Sequence, residues 1–166
     1  MKLYTYFRSS AAFRVRIALN LKGIAWESVA VNLRPGAHRQ PDYLARNPQG
    51  LVPALEEDDG AVIPQSLAII EYLEETHPQP PLLPRPARDR ARVRSMALAV
   101  ACDVHPLNNL RVLNHLRSQL GLDEAAVETW CRHWIAEGFR GLEEEARRAS
   151  GDGRHMFGSE VTLADV

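Results

Sequence analysis

Five of the ten residues from His77 to Pro86 are proline. Such a run cannot continue a helix or take a central place in a sheet, because proline lacks the backbone N–H and fixes φ. It therefore indicates a boundary or a stiff connection between two folded parts. We predict one domain over residues 1–78, a linker over 79–86 and a second domain over 87–166.

The part before the prolines mixes strand and helix patterns. Short strand-like runs stand between segments whose apolar residues recur at helical spacing, for example at Phe13, Ile17, Ala18 and Leu21. Turn residues at Asp58–Gly60 join two strand-like runs into a hairpin. The predicted order is β-α-β-α-β-β-α, an α/β arrangement of the thioredoxin-like kind. Its elements are a strand over 2–6, a helix over 11–22, a strand over 26–31, a short helix near Tyr43, strands over 51–56 and 61–63, and a helix over 65–75 with Ser66 as N-cap.

The part after the prolines is helical by pattern. A stretch over 87–118 should kink at Pro106, and a long helix should run from Asp123 to Ala149. Near the end, Thr162 stands three residues before Asp165, which is a helix-start signal. These features predict an all-α domain that is incomplete at residue 166.

Charge and cysteine content exclude several classes of function. Twenty basic and 21 acidic residues leave a formal charge of −1, which argues against a nucleic-acid or anionic-membrane binder. No apolar run has membrane-spanning length. Cys102 and Cys131 are too few for a disulfide framework and lack metal-ligand spacing. We expect a cytoplasmic protein with no metal and with both thiols buried in apolar surroundings.

Three short polar elements carry candidate chemistry, and each has a simpler structural reading. Ser9 and Ser10 open the first helix beside Arg8, where a hydroxyl could face an anion or only cap the helix. Pro53 enters a strand, where a cis bond would leave the Val52 backbone free for a ligand but a trans bond is commoner. Gln65 and Ser66 open another helix and could bind a carboxylate or only cap it. Together they favour a small peptide ligand that carries carboxylates.

Four blocks of this sequence resemble the zeta class of glutathione transferases, in the order found in that family. They are spread over most of the chain and read SSAAFRVRIAL over 9–19, NPQGLVP over 47–53, PQSLAIIEYL over 64–73 and DVHPLNNLR over 103–111. The resemblance implies a thioredoxin-like α/β domain followed by a helical domain, a homodimer, and glutathione as cofactor. The end at Thr162–Val166 also resembles a helix start inside the helical domain of that family.

The resemblance also implies roles for individual residues. Ser9, with Ser10 alongside, would stabilise the glutathione thiolate, and Val52 before a cis Pro53 would pair with the cysteinyl backbone. Gln65 and Ser66 would hold the γ-glutamyl end. Further cofactor contacts implied by the resemblance are Ala11, His38, Asp103, His105, Asn109 and Arg111.

The activity implied by the resemblance is cis–trans isomerisation of a small acidic enedione. The thiolate would add to the double bond, rotation would follow, and elimination would return glutathione unchanged. Arg8 and Arg111 are the candidates for binding carboxylate and developing negative charge, because guanidinium groups bind such oxygens bidentately. Ala11 stands where the family usually has cysteine, so a protein thiol has no role at that position.

Several functions stay open at this point. The substrate implied by the resemblance is maleylacetoacetate, as in tyrosine and phenylalanine catabolism, with maleylpyruvate as the alternative. A broad transferase or dehalogenase, and a non-catalytic dimer module, are further alternatives. Retention of Arg8 and Arg111 favours acidic substrates, and retention of Ser9, Pro53, Gln65 and Ser66 argues against a non-catalytic module.

Overall fold

The computed structural model describes residues 1–34 and 36–166. Two compact units divide between Pro81 and Leu82, inside the proline-rich segment. The strands are β1 (Lys2–Thr5), β2 (Glu27–Ala30), β3 (Ala54–Glu56) and β4 (Val62–Pro64). The helices are α1 (Ser10–Leu21), α2 (Pro41–Leu44), α3 (Ser66–Thr76), α4 (Ala87–Leu98), α5 (Leu110–Ser118) and α6 (Glu124–Ala149).

The four strands of the first unit form one mixed sheet in the order β2-β1-β3-β4. β1 and β2 are parallel, while β3 runs antiparallel to both β1 and β4. Leu3 and Leu55 lie opposite each other in the register and are fully buried, which anchors the centre of the sheet. The predicted thioredoxin-like order of elements is confirmed.

The third strand begins later than the sequence predicts. It starts at Ala54 rather than at residue 51, because the Leu51 carbonyl is bound by side chains instead of a neighbouring strand. The preceding backbone is therefore held outside the sheet.

Helix α1 buries only part of the stripe that its apolar pattern indicates. Ala18 of that stripe is fully buried, but Phe13 is 55% exposed and Leu21 is 38% exposed, while Val15 and Leu19 of a neighbouring stripe are buried. Both stripes are apolar, so periodicity alone could not choose between them. The choice depends on which stripe meets the sheet and α3.

Helices α1 and α3 run side by side in the same direction. Arg14 of α1 reaches Ser66 of α3, and Lys22 reaches Glu74, so eight residues along one helix correspond to eight along the other. The side chain of Lys22 is fully buried and its Nζ lies 2.7 Å from a Glu74 carboxylate oxygen. The N-termini of the two helices therefore point toward the same edge of this unit.

The second unit is helical, and its first long stretch is interrupted near Pro106, as predicted. A π-helical turn over Ala99–Val104 follows α4, and a 3-10 turn over Pro106–Asn108 leads to α5. Gly138 of α6 allows close approach here, because a Cβ at that position would collide with the Val104 side chain. The long helix predicted from Asp123 to Ala149 is confirmed, with Asp123 as its N-cap.

The helix-start signal near residue 162 forms the predicted cap. The Thr162 N–H and hydroxyl both donate to Asp165 Oδ2, at 2.8 and 3.0 Å, and the Thr162 hydroxyl accepts from the Ala164 N–H at 3.3 Å. Leu163 is 3% exposed, and its N–H donates to the Leu82 carbonyl at 2.7 Å. This cap therefore fixes the start of a short 3-10 turn within the second unit.

The prediction that both thiols are buried is wrong for Cys102, which is exposed, while Cys131 is partly exposed. Cys102 lies in the π-helical turn, whose buried residue is Val104, and it does not share the helical spacing of the buried Val93, Ala97 and Val104. Within the described part of the chain, no helix is both long enough and apolar enough to span a membrane.

Candidate active site

The loop between β1 and α1 presents the Ser9 hydroxyl at the start of a helix. Ser9 is the N-cap of α1, and its Oγ accepts from the Ala12 N–H at 3.1 Å. The capping role predicted as the simpler alternative is therefore real. It does not exclude a second role, because a hydroxyl that accepts one hydrogen bond can still donate its proton. Among the described residues, no group accepts that proton.

Arg16 holds this loop from the second turn of α1. Its guanidinium donates to Thr5 Oγ1 at 2.7 Å and to the Tyr6 carbonyl at 3.3 Å. It also stacks over the Phe13 ring at 5.2 Å. The loop that carries Arg8 and Ser9 is therefore tied to the helix that follows it.

Arg8 and Ser10, on either side of the capping residue Ser9, are exposed, and Ala11 is partly exposed. The N-cap of α1 is Ser9, and Ser10 is the first residue of the helix. Aligned peptide dipoles give this end of α1 a partial positive charge, so an anion here is stabilised.

The segment before β3 leaves a stretch of backbone unpaired. The Val52–Pro53 bond is cis, as the ligand-binding interpretation requires. Val52 and Pro53 are buried, yet the Val52 N–H and C=O make no hydrogen bond to another described residue. These two groups are free to pair with an extended ligand.

Two side chains that sequence reasoning missed position this backbone. Tyr43 Oη donates to the Leu51 carbonyl at 2.6 Å, and Asn47 Nδ2 donates to the same oxygen at 2.8 Å. Asn47 is 1% exposed, and burial raises the pKa of Tyr43 above its ordinary value. Asn47 stands in the block over 47–53, but nothing in the residue type indicates that its amide would turn inward.

The start of α3 differs from the prediction in one respect. Ser66 was predicted as the N-cap, but Gln65 occupies that position and Ser66 is the first helical residue. The Ser66 hydroxyl does not cap its own helix; its oxygen accepts from Arg14 Nη1 at 2.7 Å. Both partners are buried, with Ser66 at 6% and Arg14 at 9% exposure.

Gln65 itself adopts a left-handed backbone with φ of 72°. A non-glycine residue in this region costs about 1–3 kcal/mol, and such strain concentrates at functional sites. Its side-chain amide donates to Gln49 Oε1 at 2.7 Å, which places both amides at the exposed edge beside Ser66.

His38 lies in a 3-10 turn before α2 and is partly buried. Its Nδ1 atom is buried and lacks a hydrogen-bond partner among the described residues. Burial first, and the Arg39 charge second, hold the pKa of His38 below its usual value. The ring is therefore neutral at pH 7 and has an unsatisfied nitrogen.

The remaining predicted residues belong to the helical unit. Asn109 is the N-cap of α5, and its Oδ1 accepts from the Arg111 N–H at 3.1 Å. Its amide nitrogen lies 3.4 Å from His105 Nε2. Arg111 is exposed on the first turn of α5, and exposed Asp103 lines a cleft of about 460 Å³ with Trp134 and other residues of this unit.

Within the first unit the parallel helices bring two of the predicted elements to one edge. Arg14 aligns with Ser66, so Ser9 lies five residues farther along α1. At 1.5 Å per residue, this offset is about 7.5 Å along the helix axis. The axes of packed helices lie a further 8–10 Å apart, roughly, so the two hydroxyls stand at one edge but on different helices.

Comparison with known proteins agrees with this arrangement. The family profile of the glutathione S-transferase N-terminal domain matches residues 3–81. The maleylacetoacetate isomerase of Pseudomonas aeruginosa is 53% identical over 100% of this chain and 77% of its own length.

Two solved structures are also similar. A holo maleylpyruvate isomerase, described as a bacterial glutathione S-transferase of the zeta class, superimposes with a TM-score of 0.95 at 49% identity, over 99% of this chain and 77% of its own. The maleylacetoacetate isomerase of Methylobacterium extorquens AM1, with bound malonate and glutathione, gives a TM-score of 0.94 at 49% identity over the same shares. This chain therefore belongs to the zeta class of the glutathione transferase family.

Proposed function

We propose that this chain is a glutathione-dependent cis–trans isomerase that converts maleylacetoacetate to fumarylacetoacetate. The observation that carries the proposal is the pair of parallel helices α1 and α3, whose N-termini present the Ser9 and Ser66 hydroxyls at the same edge of the first unit. The relatives with this sequence pattern support the substrate, since one carries that isomerase name and another holds both glutathione and a dicarboxylate.

In the proposed complex the first unit would hold glutathione at both charged ends and along its backbone. Ser66 and Gln65 would hold the γ-glutamyl group at the N-terminus of α3, where free N–H groups favour a carboxylate. The unpaired N–H and C=O of Val52 would hold the cysteinyl backbone. The unsatisfied His38 ring would face the glycyl end.

When bound, glutathione supplies a thiolate whose reversible addition to the cis double bond lowers the bond order and permits rotation. Ser9 would donate its hydroxyl proton to that sulfur while it accepts from the Ala12 N–H. Charge-assisted hydrogen bonds of this kind are about twice as strong as neutral ones. The hydrogen bond from Ser9 and the positive end of the α1 dipole would both lower the pKa of the glutathione thiol.

The carboxylate and the charge that develops on the carbonyl oxygen need cationic partners. We assign these roles to the exposed guanidinium groups of Arg8 and Arg111, and we assign Asp103, His105 and Asn109 to supporting contacts, as the resemblance implies. Ala11 offers no thiol, so the chemistry relies on the cofactor sulfur alone.

The test measures isomerisation of maleylacetoacetate and maleylpyruvate by the full chain, with and without glutathione. The expected result is strict glutathione dependence, faster turnover of maleylacetoacetate, and a large rate loss in Ser9→Ala. Faster turnover of maleylpyruvate would replace the proposed substrate by the alternative supported by the solved relative. Glutathione binding without turnover of either substrate would refute the isomerase.

The proposal includes a homodimer and a cytoplasmic location. The family resemblance supports the dimer, and two unpaired cysteines, one of them exposed, support a reducing compartment. Sedimentation equilibrium should give twice the chain mass of 18.6 kDa, and a monomer at all concentrations would contradict the dimer.

A further inference from the structure

We infer that Arg14 is a positioning residue for the glutamyl end of the ligand, acting through the Ser66 hydroxyl. This inference rests on the proposed function, since it concerns the same glutathione site. The contact is Arg14 Nη1 to Ser66 Oγ at 2.7 Å, between residues separated by 52 positions in the sequence. Neither the apolar pattern of α1 nor the capping pattern of α3 predicts it.

The contact determines which way the serine proton points. A serine hydroxyl has one proton to donate and two lone pairs to accept. The guanidinium has only donors, so Ser66 must accept in this pair and its own proton is directed elsewhere. No described residue accepts that proton, although Ser66 is only 6% exposed. A ligand carboxylate at the start of α3 would satisfy it.

The Ser66 oxygen does not serve as the cap of its own helix. A serine at the N-cap usually turns its oxygen inward to accept a backbone N–H of the first turn. Here the Ser66 oxygen accepts from Arg14, and Gln65, whose φ is 72°, occupies the cap position without a side-chain cap bond. The first backbone N–H groups of α3 are therefore left for the ligand together with the serine proton.

Arg14 differs from the buried cation at the C-cap of α1. Lys22 lies two turns farther along and donates to Glu74, to the His77 carbonyl and to the Pro80 carbonyl. All these partners lie at the opposite end of α3 from Ser66. Lys22 therefore stabilises the helix pair without contacting the ligand edge, which makes it a matched control.

The test compares glutathione with 4-aminobutyryl-cysteinyl-glycine, which lacks the glutamyl α-carboxylate. Calorimetry gives the ratio of the two dissociation constants for wild type, Arg14→Met, Ser66→Ala, the double variant and Lys22→Met, in the full chain. A fall in the folded fraction weakens both ligands by the same factor, so the ratio is insensitive to stability.

In wild type, glutathione should bind about 10-fold or more tightly than the analogue, because the analogue lacks one hydrogen bond to a charged group. Arg14→Met should lower the ratio to that of Ser66→Ala, and the double variant should lower it no further. Lys22→Met should keep the wild-type ratio while it lowers the melting temperature.

The inference would be overturned if folded Arg14→Met kept the wild-type ratio of dissociation constants. It would also be overturned if the double variant lowered that ratio by the product of the two single effects. Either result would leave the glutathione site intact. Absence of glutathione binding in wild type would instead refute the proposed function itself. If Arg14→Met does not fold, Arg14→Lys keeps the buried charge but places its nitrogen roughly one bond short of Ser66. That variant should match Ser66→Ala, and a wild-type ratio would overturn the inference.

Discussion

Replacing Ser9 by alanine removes a hydroxyl that has two partners in the proposed complex. The cap bond to the Ala12 N–H is present in the structure at 3.1 Å, and its loss should cost about 1 kcal/mol of unfolding free energy. The bond to the cofactor thiolate is charge-assisted, so its loss should cost roughly 1.5–3 kcal/mol of thiolate stabilisation. The two effects are separable because they appear in different measurements.

The second effect is a shift in the pKa of the bound thiol. One pKa unit corresponds to about 1.4 kcal/mol, so Ser9→Ala should raise the pKa of bound glutathione by roughly 1–2 units. The ultraviolet absorbance of the thiolate, titrated against pH in the saturated complex, measures this shift. The isomerisation rate near neutral pH should fall in proportion to the thiolate fraction.

Asp123→Ala is the matched control for the cap. Asp123 caps α6 through the Ala126 N–H at 2.8 Å, so its loss should lower stability by a similar amount without changing the thiol pKa. Ser10→Ala should raise the thiol pKa less than Ser9→Ala, because Ser10 is not the capping hydroxyl. An unchanged thiol pKa in Ser9→Ala would refute the assignment of Ser9, whatever the loss of stability.

Three further outcomes follow from contacts in the first unit. Lys22→Met should lower the unfolding free energy by about 3–5 kcal/mol in urea titrations, because it removes the buried ammonium that lies 2.7 Å from the Glu74 carboxylate. A loss below about 1 kcal/mol would contradict this. Since the pKa of His38 is lowered, the unfolded chain binds that proton more readily, so stability should fall as the pH drops from about 6.5 through the folded pKa. In His38→Gln, the melting temperature should fall less over this pH range than in wild type. An unchanged dependence of melting temperature on pH would exclude His38 as the source of the effect. Asn47→Ala removes one of the two donors to the Leu51 carbonyl. It should lower the unfolding free energy by about 1–3 kcal/mol and also weaken glutathione binding. Wild-type affinity for glutathione would contradict this prediction.

Local signals predicted the elements well, because each depends on a few neighbouring residues. The order of strands and helices follows from apolar spacing and turn residues, and the caps at Ser9, Asp123 and Thr162 follow from side chains within three positions. The prediction that Ser66 is the N-cap of α3 was wrong, and its hydroxyl instead accepts from Arg14, a partner far away in the sequence.

The sequence by itself determined the two-part division, the order of elements and the polar groups that stand at strand and helix ends. It also contains the blocks that place the chain in its family. Only the tertiary structure decided which stripe of α1 is buried, because both stripes are apolar. It also decided that α1 and α3 run parallel, through Arg14–Ser66 and Lys22–Glu74, each pair 52 positions apart. Such contacts depend on how whole elements pack, and no local period in the chain records which buried cation will meet which distant oxygen.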